Sequence, residues 1–112
     1  MTRSDAERVE ISLEHIRILN SHMARKGTVD DDLLFDAVCM QLSSAIESAN
    51  GISPDRREAL FGSDWPLIKA MRNSIAHDYA FVDSAMVGES VELEVPKFRA
   101  SLLELQAQLQ SG

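Results

Sequence analysis

Apolar residues near the start of the chain fall at Val9, Leu13, Ile16, Leu19 and Met23, a three- and four-residue spacing that gathers them on one face of a helix. Ser4 with Glu7 three positions later makes a capping-box start, so a first helix is expected from about residue 4 to residue 23. The run "RKGTVDDD" breaks the period: Gly27 stops the helix, and Asp30 to Asp32 suit the positive start of the next one. A second helix should run from about residue 31 to residue 49 and bury Phe35, Val38, Leu42, Ile46 and Ala49. Asn50-Gly51 ends it. Ser53 and Pro54 then open a short helix that Gly62 closes. The segment "SDWPLIKAMRNSIAHDY" is again helical, with Leu67, Ile68, Met71 and Ile75 as its buried stripe and no Gly or Pro to mark its end. Residues 82 to 95 read either as a strand through the alternating "VELEV" or as a helix weakened by Gly88. A lone strand would have no partner, so the helix is expected. Pro96 opens a last helix with Phe98, Leu102, Leu105 and Leu109 inward. The pattern predicts an all-α, up-and-down bundle of four to five helices with short connections, forming one domain over residues 1–112.

Composition supports that reading and narrows the function. Hydrophobic residues make up 45% and charged residues 26% of the chain, an ordinary balance for a globular domain, while aromatics are only 5%. The single cysteine, Cys39, sits among Val38, Met40 and Leu42 and reads as a reduced core thiol. The polar start "MTRSDAERVE" offers no apolar leader, and no run approaches a membrane span, so the cytoplasm is the expected location, with no membrane partner. A formal net charge of −7 argues against a broad basic face for nucleic acid. Any RNA must be held at a small, locally positive site.

The string "RNSIAHDY" supplies candidates for such a site: Arg72, Asn73, His77 and Tyr79. Arginine five residues before histidine is weak evidence by itself, since eight arginines and three histidines give roughly 0.2 such pairs by chance. Arg17 and His22 repeat the spacing without the neighbouring Asn and Tyr. The combination carries more weight, because a histidine titrating near neutrality can take a proton from a ribose 2′-hydroxyl or give one to a leaving oxygen. The guanidinium meanwhile forks onto phosphate oxygens as negative charge builds. Such a reaction calls for neither metal nor cofactor. On an ideal helix, however, Arg72 and His77 lie about 140° apart. Either the helix ends before His77, or a second copy completes the site, which would also supply the second acid–base group.

Arg72-Asn73, His77 and Tyr79 resemble the R-x4-H-x-Y signature of HepT-like toxins, minimal members of the HEPN family. Chain length, helix order and the residues Phe81, Val82 and Asp83 after the tyrosine are similar as well. The resemblance implies a HEPN-like homodimeric ribonuclease of a type VII-like toxin–antitoxin pair. Its partner would be an MntA-like nucleotidyltransferase antitoxin and its substrate RNA. It implies catalytic roles for Arg72 and His77, a supporting role for Asn73, and Tyr79 as the hydroxyl to which the antitoxin transfers AMP. The added bulk and phosphate charge would then block the groove. The chain departs from the family after Asp83, where "SAMVGESVELEV" is more polar than the usual Trp-containing helix.

Plainer readings stand beside these. Arg72 and His77 could form a polar helix end that caps carbonyls, and Tyr79 a half-buried interface phenol. The whole motif could be the recognition surface of a noncatalytic HEPN module that presents substrate to a nucleotidyltransferase. His15 and His22 are two turns apart and read as surface histidines; with Asp30 to Asp32 read as a helix start, no metal is assigned. Trp65 reads as a packing residue at a helix entry. Arg56, Arg57 and Lys69 either add phosphate contacts or, for the arginines, pair with Asp55 and Glu58.

Overall fold

The computed structural model describes residues 3–111 and is all-α, with six helices: α1 (Asp5–Met23), α2 (Asp31–Asn50), α3 (Pro54–Phe61), α4 (Trp65–His77), α5 (Ser84–Leu93) and α6 (Val95–Ser111). Short 3-10 turns at Gly62–Asp64 and Tyr79–Phe81 enter and leave α4. Among the described residues there is no strand, and "VELEV" divides between the end of α5 and the start of α6. No helix among them is long and apolar enough to cross a membrane.

The caps explain where the helices begin. Ser4 Oγ accepts the Glu7 N–H at 3.1 Å while Glu7 Oε1 accepts the Ser4 N–H at 3.1 Å, completing the expected capping box. Asp30 caps α2 by accepting the N–H groups of Asp32 and Leu33 at 2.9 and 3.1 Å. Ser53 occupies the cap position of α3 but its side chain makes no cap bond. Its hydroxyl instead donates to Asp5 Oδ2 at 2.6 Å, tying the start of α3 to the start of α1. Gly62, at φ +51°, takes the left-handed conformation that releases the chain from α3.

Packing follows the apolar faces. The most extensive contact is between α1 and α2; α6 covers α1, α4 covers α2, and α5 leans on α6. The α1–α2 pair is antiparallel and closely packed, stitched by small hydroxyls: Ser12 Oγ donates to the Ala45 carbonyl and Ser48 Oγ to the Arg8 carbonyl, each at 2.8 Å. Ile16, Leu19, Ile52, Val87 and Leu102 are almost wholly buried, each contributing about 1.5–3 kcal/mol of apolar burial. Phe61 links three elements, with its ring 5.4 Å from Trp65 and 5.3 Å from Phe98. Trp65 is thus the expected packing residue. The α4 stripe needs correction: Ile75 is buried and Ile68 and Met71 half-buried, but Leu67 is 73% exposed. It lies about 100° round the helix from Ile68, beyond the reach of α2.

Candidate functional site

The helix α4 sets the positions of Arg72, Asn73 and His77. The Asp78 N–H still bonds the Ser74 carbonyl at 2.9 Å, so helical bonding persists through His77 before the backbone turns at Asp78. Arg72 and His77 therefore stay on one regular helix, about 140° apart in rotation and about 7.5 Å apart in rise. Within one chain they face different surroundings. Arg72 turns towards α2, whereas His77 is exposed at the helix end.

The Arg72 guanidinium is already engaged. Its Nη2 meets Glu47 Oε2 at 2.9 Å and its Nη1 donates to Asn73 Oδ1 at 3.1 Å. Its Nε is buried without a partner among the described residues. Asn73 thus holds one end of the guanidinium and Glu47, on α2, holds the other. Arg72 has 28% of its side chain exposed and Glu47 54%, so the pair lies at the rim of the fold.

Tyr79 turns back from the α4–α5 connection onto α2. A tight turn holds it there, with Phe81 N–H bonded to the Asp78 carbonyl at 2.8 Å and Val82 N–H to that of Tyr79 at 3.2 Å. Its ring stacks on Phe35 at 5.9 Å and 18°, and its hydroxyl donates to Asp36 Oδ1. Burial on that side, together with the bond to Asp36, raises the phenol pKa above its ordinary value. Cys39, 1% exposed beneath the same ring, has its thiol pushed up to about 11 by burial, in keeping with an inert core residue. Tyr79 as a residue is 39% exposed, while its hydroxyl is engaged by Asp36.

Other sequence candidates are absorbed by packing. Arg56 bonds Asp5 at 2.7 Å rather than Asp55 or Glu58, and Arg57 donates to the Asn50 carbonyl at 2.9 Å while lying 5.3 Å from the Trp65 ring centre. Arg17 pairs with Glu14 at 2.6 Å, which leaves the Arg17–His22 spacing without the setting of the second pair. His15 is half-buried and bonds Gln41 at 2.8 Å through Nδ1, not a free surface histidine. A groove of about 580 Å³ between α1 and α6 contains none of the four motif residues. A second, of about 330 Å³, reaches Arg72. Asp36, Glu47 and Arg8 had no mark in the sequence, because each meets the motif or its groove only through helix packing.

The Ribonuclease HepT-like family model matches residues 9–105. No curated protein and no solved structure matched. The match spans α1 from residue 9 onward, the whole of α2 and of α4 with its arginine and histidine, and most of α6. On that extent of match, joined to the all-helical fold, the chain belongs to the HepT-like ribonuclease family, whose substrate is RNA.

Proposed function

We propose that this chain is a metal-independent endoribonuclease toxin that acts as a homodimer of single-domain protomers, within a type VII-like toxin–antitoxin pair. The observation that carries the reading is the continuous helix through His77, which keeps Arg72 and His77 of one chain on different faces. A phosphodiester then meets both side chains only if a second copy contributes. In the shared groove, one His77 accepts the ribose 2′-hydroxyl proton as that oxygen attacks phosphorus. The other His77 protonates the departing 5′-oxygen, leaving a 2′,3′-cyclic phosphate. Arg72, oriented by Asn73, bears on the phosphate oxygens as their charge rises. Exposed apolar side chains on α4, the following turn and α5 support a second copy: Leu67 at 73%, Phe81 at 89% and Met86 at 50% exposure.

Tyr79 is the proposed site of silencing by an MntA-like nucleotidyltransferase antitoxin. Its oxygen attacks the α-phosphorus of ATP, releasing pyrophosphate, and the phenol proton passes to Asp36. One observation favours the alternative of a noncatalytic module: Arg72 is held by Glu47 instead of standing free. The test is growth and RNA cleavage after expression of wild type, Arg72→Ala and His77→Ala, with soluble yield compared. Arrest and cleavage by wild type alone is the expected result. Cleavage that persists in folded His77→Ala protein sinks the assignment, as does a strictly monomeric active enzyme in sedimentation.

A further inference from the structure

Helices α1, α2 and α4 enclose the groove of about 330 Å³ that reaches Arg72. Its charge is opposite to that of the chain as a whole. Arg3, Arg8 and Arg72 line it together with His15 and Ser44, and Glu47 is its single carboxylate. In a protein of net charge −7, a groove lined by three guanidiniums and one carboxylate is a local reversal of sign.

Two of those guanidiniums share a second property. The Nε of Arg8 and the Nε of Arg72 are both buried without a hydrogen-bond partner among the described residues. A buried donor on a charged group is costly to leave unpaired, so each of these two guanidiniums retains hydrogen-bonding capacity that the described residues do not use. The fold also holds Arg8 in place by a close approach: a Cβ on Gly51 would come within 2.5 Å of the Arg8 guanidinium carbon. Glycine at the end of α2 thus lets the Arg8 side chain lie flat across the helix terminus. Guanidinium forks and the Ser44 hydroxyl suit phosphate oxygens, and the groove joins Arg72 directly.

We propose that this groove is a second phosphate subsite, in which Arg8 and Arg3 hold the backbone of single-stranded RNA next to the phosphate held by Arg72. The proposal rests on reading Arg72 as a phosphate contact. It makes Arg8 a binding residue distinct from the catalytic pair, and it directs the strand from α4 across α2 towards α1.

The test uses the whole protein and a fluorescent 2′-O-methyl oligoribonucleotide, which lacks the 2′-hydroxyl needed for cleavage. Anisotropy titrations over a range of salt give affinity and its salt slope for wild type, Arg3→Gln, Arg8→Gln, Ser44→Asp and the control Lys97→Gln, and cleavage of unmodified RNA is followed alongside in His77→Ala. Three contacts imply a log–log slope of about −2 for a single strand. Arg3→Gln and Arg8→Gln should each weaken binding on the order of threefold to tenfold and flatten the slope by about 0.7. Ser44→Asp should weaken binding without removing any packed atom, and Lys97→Gln, exposed on α6 and outside the groove, should bind as wild type. If Arg8→Gln fails to fold, the exposed Arg3 and the Ser44 variant decide the matter. Wild-type affinity and slope in both of those variants overturn the proposal, as does absence of oligonucleotide binding at low salt. If His77→Ala abolishes cleavage while the groove variants bind normally, the subsite falls and the ribonuclease reading stands. If groove variants lose binding while His77→Ala still cleaves, the subsite stands and the catalytic assignment falls.

Discussion

Glu47 is the carboxylate paired with Arg72, and its removal tests whether it competes with RNA for that guanidinium. The two groups meet at 2.9 Å with side-chain exposures of 54% and 28%. An ion pair so open to water contributes about 0.2–1 kcal/mol. Glu47→Gln keeps size and hydrogen-bonding capacity but drops the charge, so fold stability should fall by no more than about 1 kcal/mol. The same energy, no longer spent breaking the pair when a phosphate arrives, should tighten RNA binding by about 1.4- to 5-fold at tenfold per 1.4 kcal/mol. Anisotropy with the uncleavable oligonucleotide measures the change. Glu104→Gln on the exposed side of α6 controls for the general gain from losing one negative charge. In an Arg72→Ala background the Glu47→Gln gain should vanish. Weaker or unchanged binding refutes the competition, and so does a gain that survives without Arg72; Glu47 would then be a support that aims Arg72 at its target.

Two further outcomes depend on pH. Asp5 has a side chain only 14% exposed, and although its partial burial opposes ionisation, the Ser53 and Arg56 hydrogen bonds hold its pKa below the usual carboxylate value. Its contribution is therefore complete above the unfolded pKa of about 4 and disappears as pH falls through the lower folded value. Asp5→Asn should cost about 1.5 kcal/mol near neutrality and shrink the acid-side loss of stability, read from urea melts at pH 7 and pH 3; equal acid sensitivity in both proteins refutes it. Tyr79 behaves oppositely: its raised pKa, from burial and the Asp36 bond, stabilises the fold fully below the unfolded value of about 10 and is lost as pH rises through the folded value. As the single tyrosine, it can be titrated by ultraviolet absorbance, with a midpoint above about 10 that Asp36→Asn lowers. A wild-type midpoint at or below 10 refutes the contact.

The helices were legible because their signals are local. Capping residues and apolar spacing sit within a few positions of the structure they specify, and Ser4 with Glu7 made the cap their order implies. Leu67 shows where locality ends, since periodicity places it beside Ile68 but only the position of α2 decides which of the two is covered. Phe35 was assigned to the core and is half-buried, since it serves as the platform for Tyr79 at the edge. The motif was legible as a string, and its tetrad proved to sit on one helix and the turn after it. Its electrostatic partners were not. Tyr79 meets Asp36 across 43 positions, and Glu47 meets Arg72 only because α2 and α4 run antiparallel. No spacing rule reaches contacts made by the packing of separate helices.

That antiparallel arrangement also constrains how an AMP on Tyr79 would act. Asp36 marks the Tyr79 end of α2 and Glu47 the Arg72 end. Eleven residues of helix separate the two, about 16 Å at 1.5 Å per residue. The screening length at physiological salt is about 8 Å, so the charge of one added phosphate falls off well before it reaches the arginine groove. His77 lies two residues from Tyr79, at the exposed helix end. On the proposed reading, silencing therefore works chiefly by bulk and charge at His77 and at the surface where the second copy closes, and only weakly through the phosphate contacts of Arg3, Arg8 and Arg72. A modified toxin that has lost cleavage but still holds RNA is the state this geometry favours. Proton transfer at His77 and backbone binding at the arginines are then separately controlled ends of one helix pair.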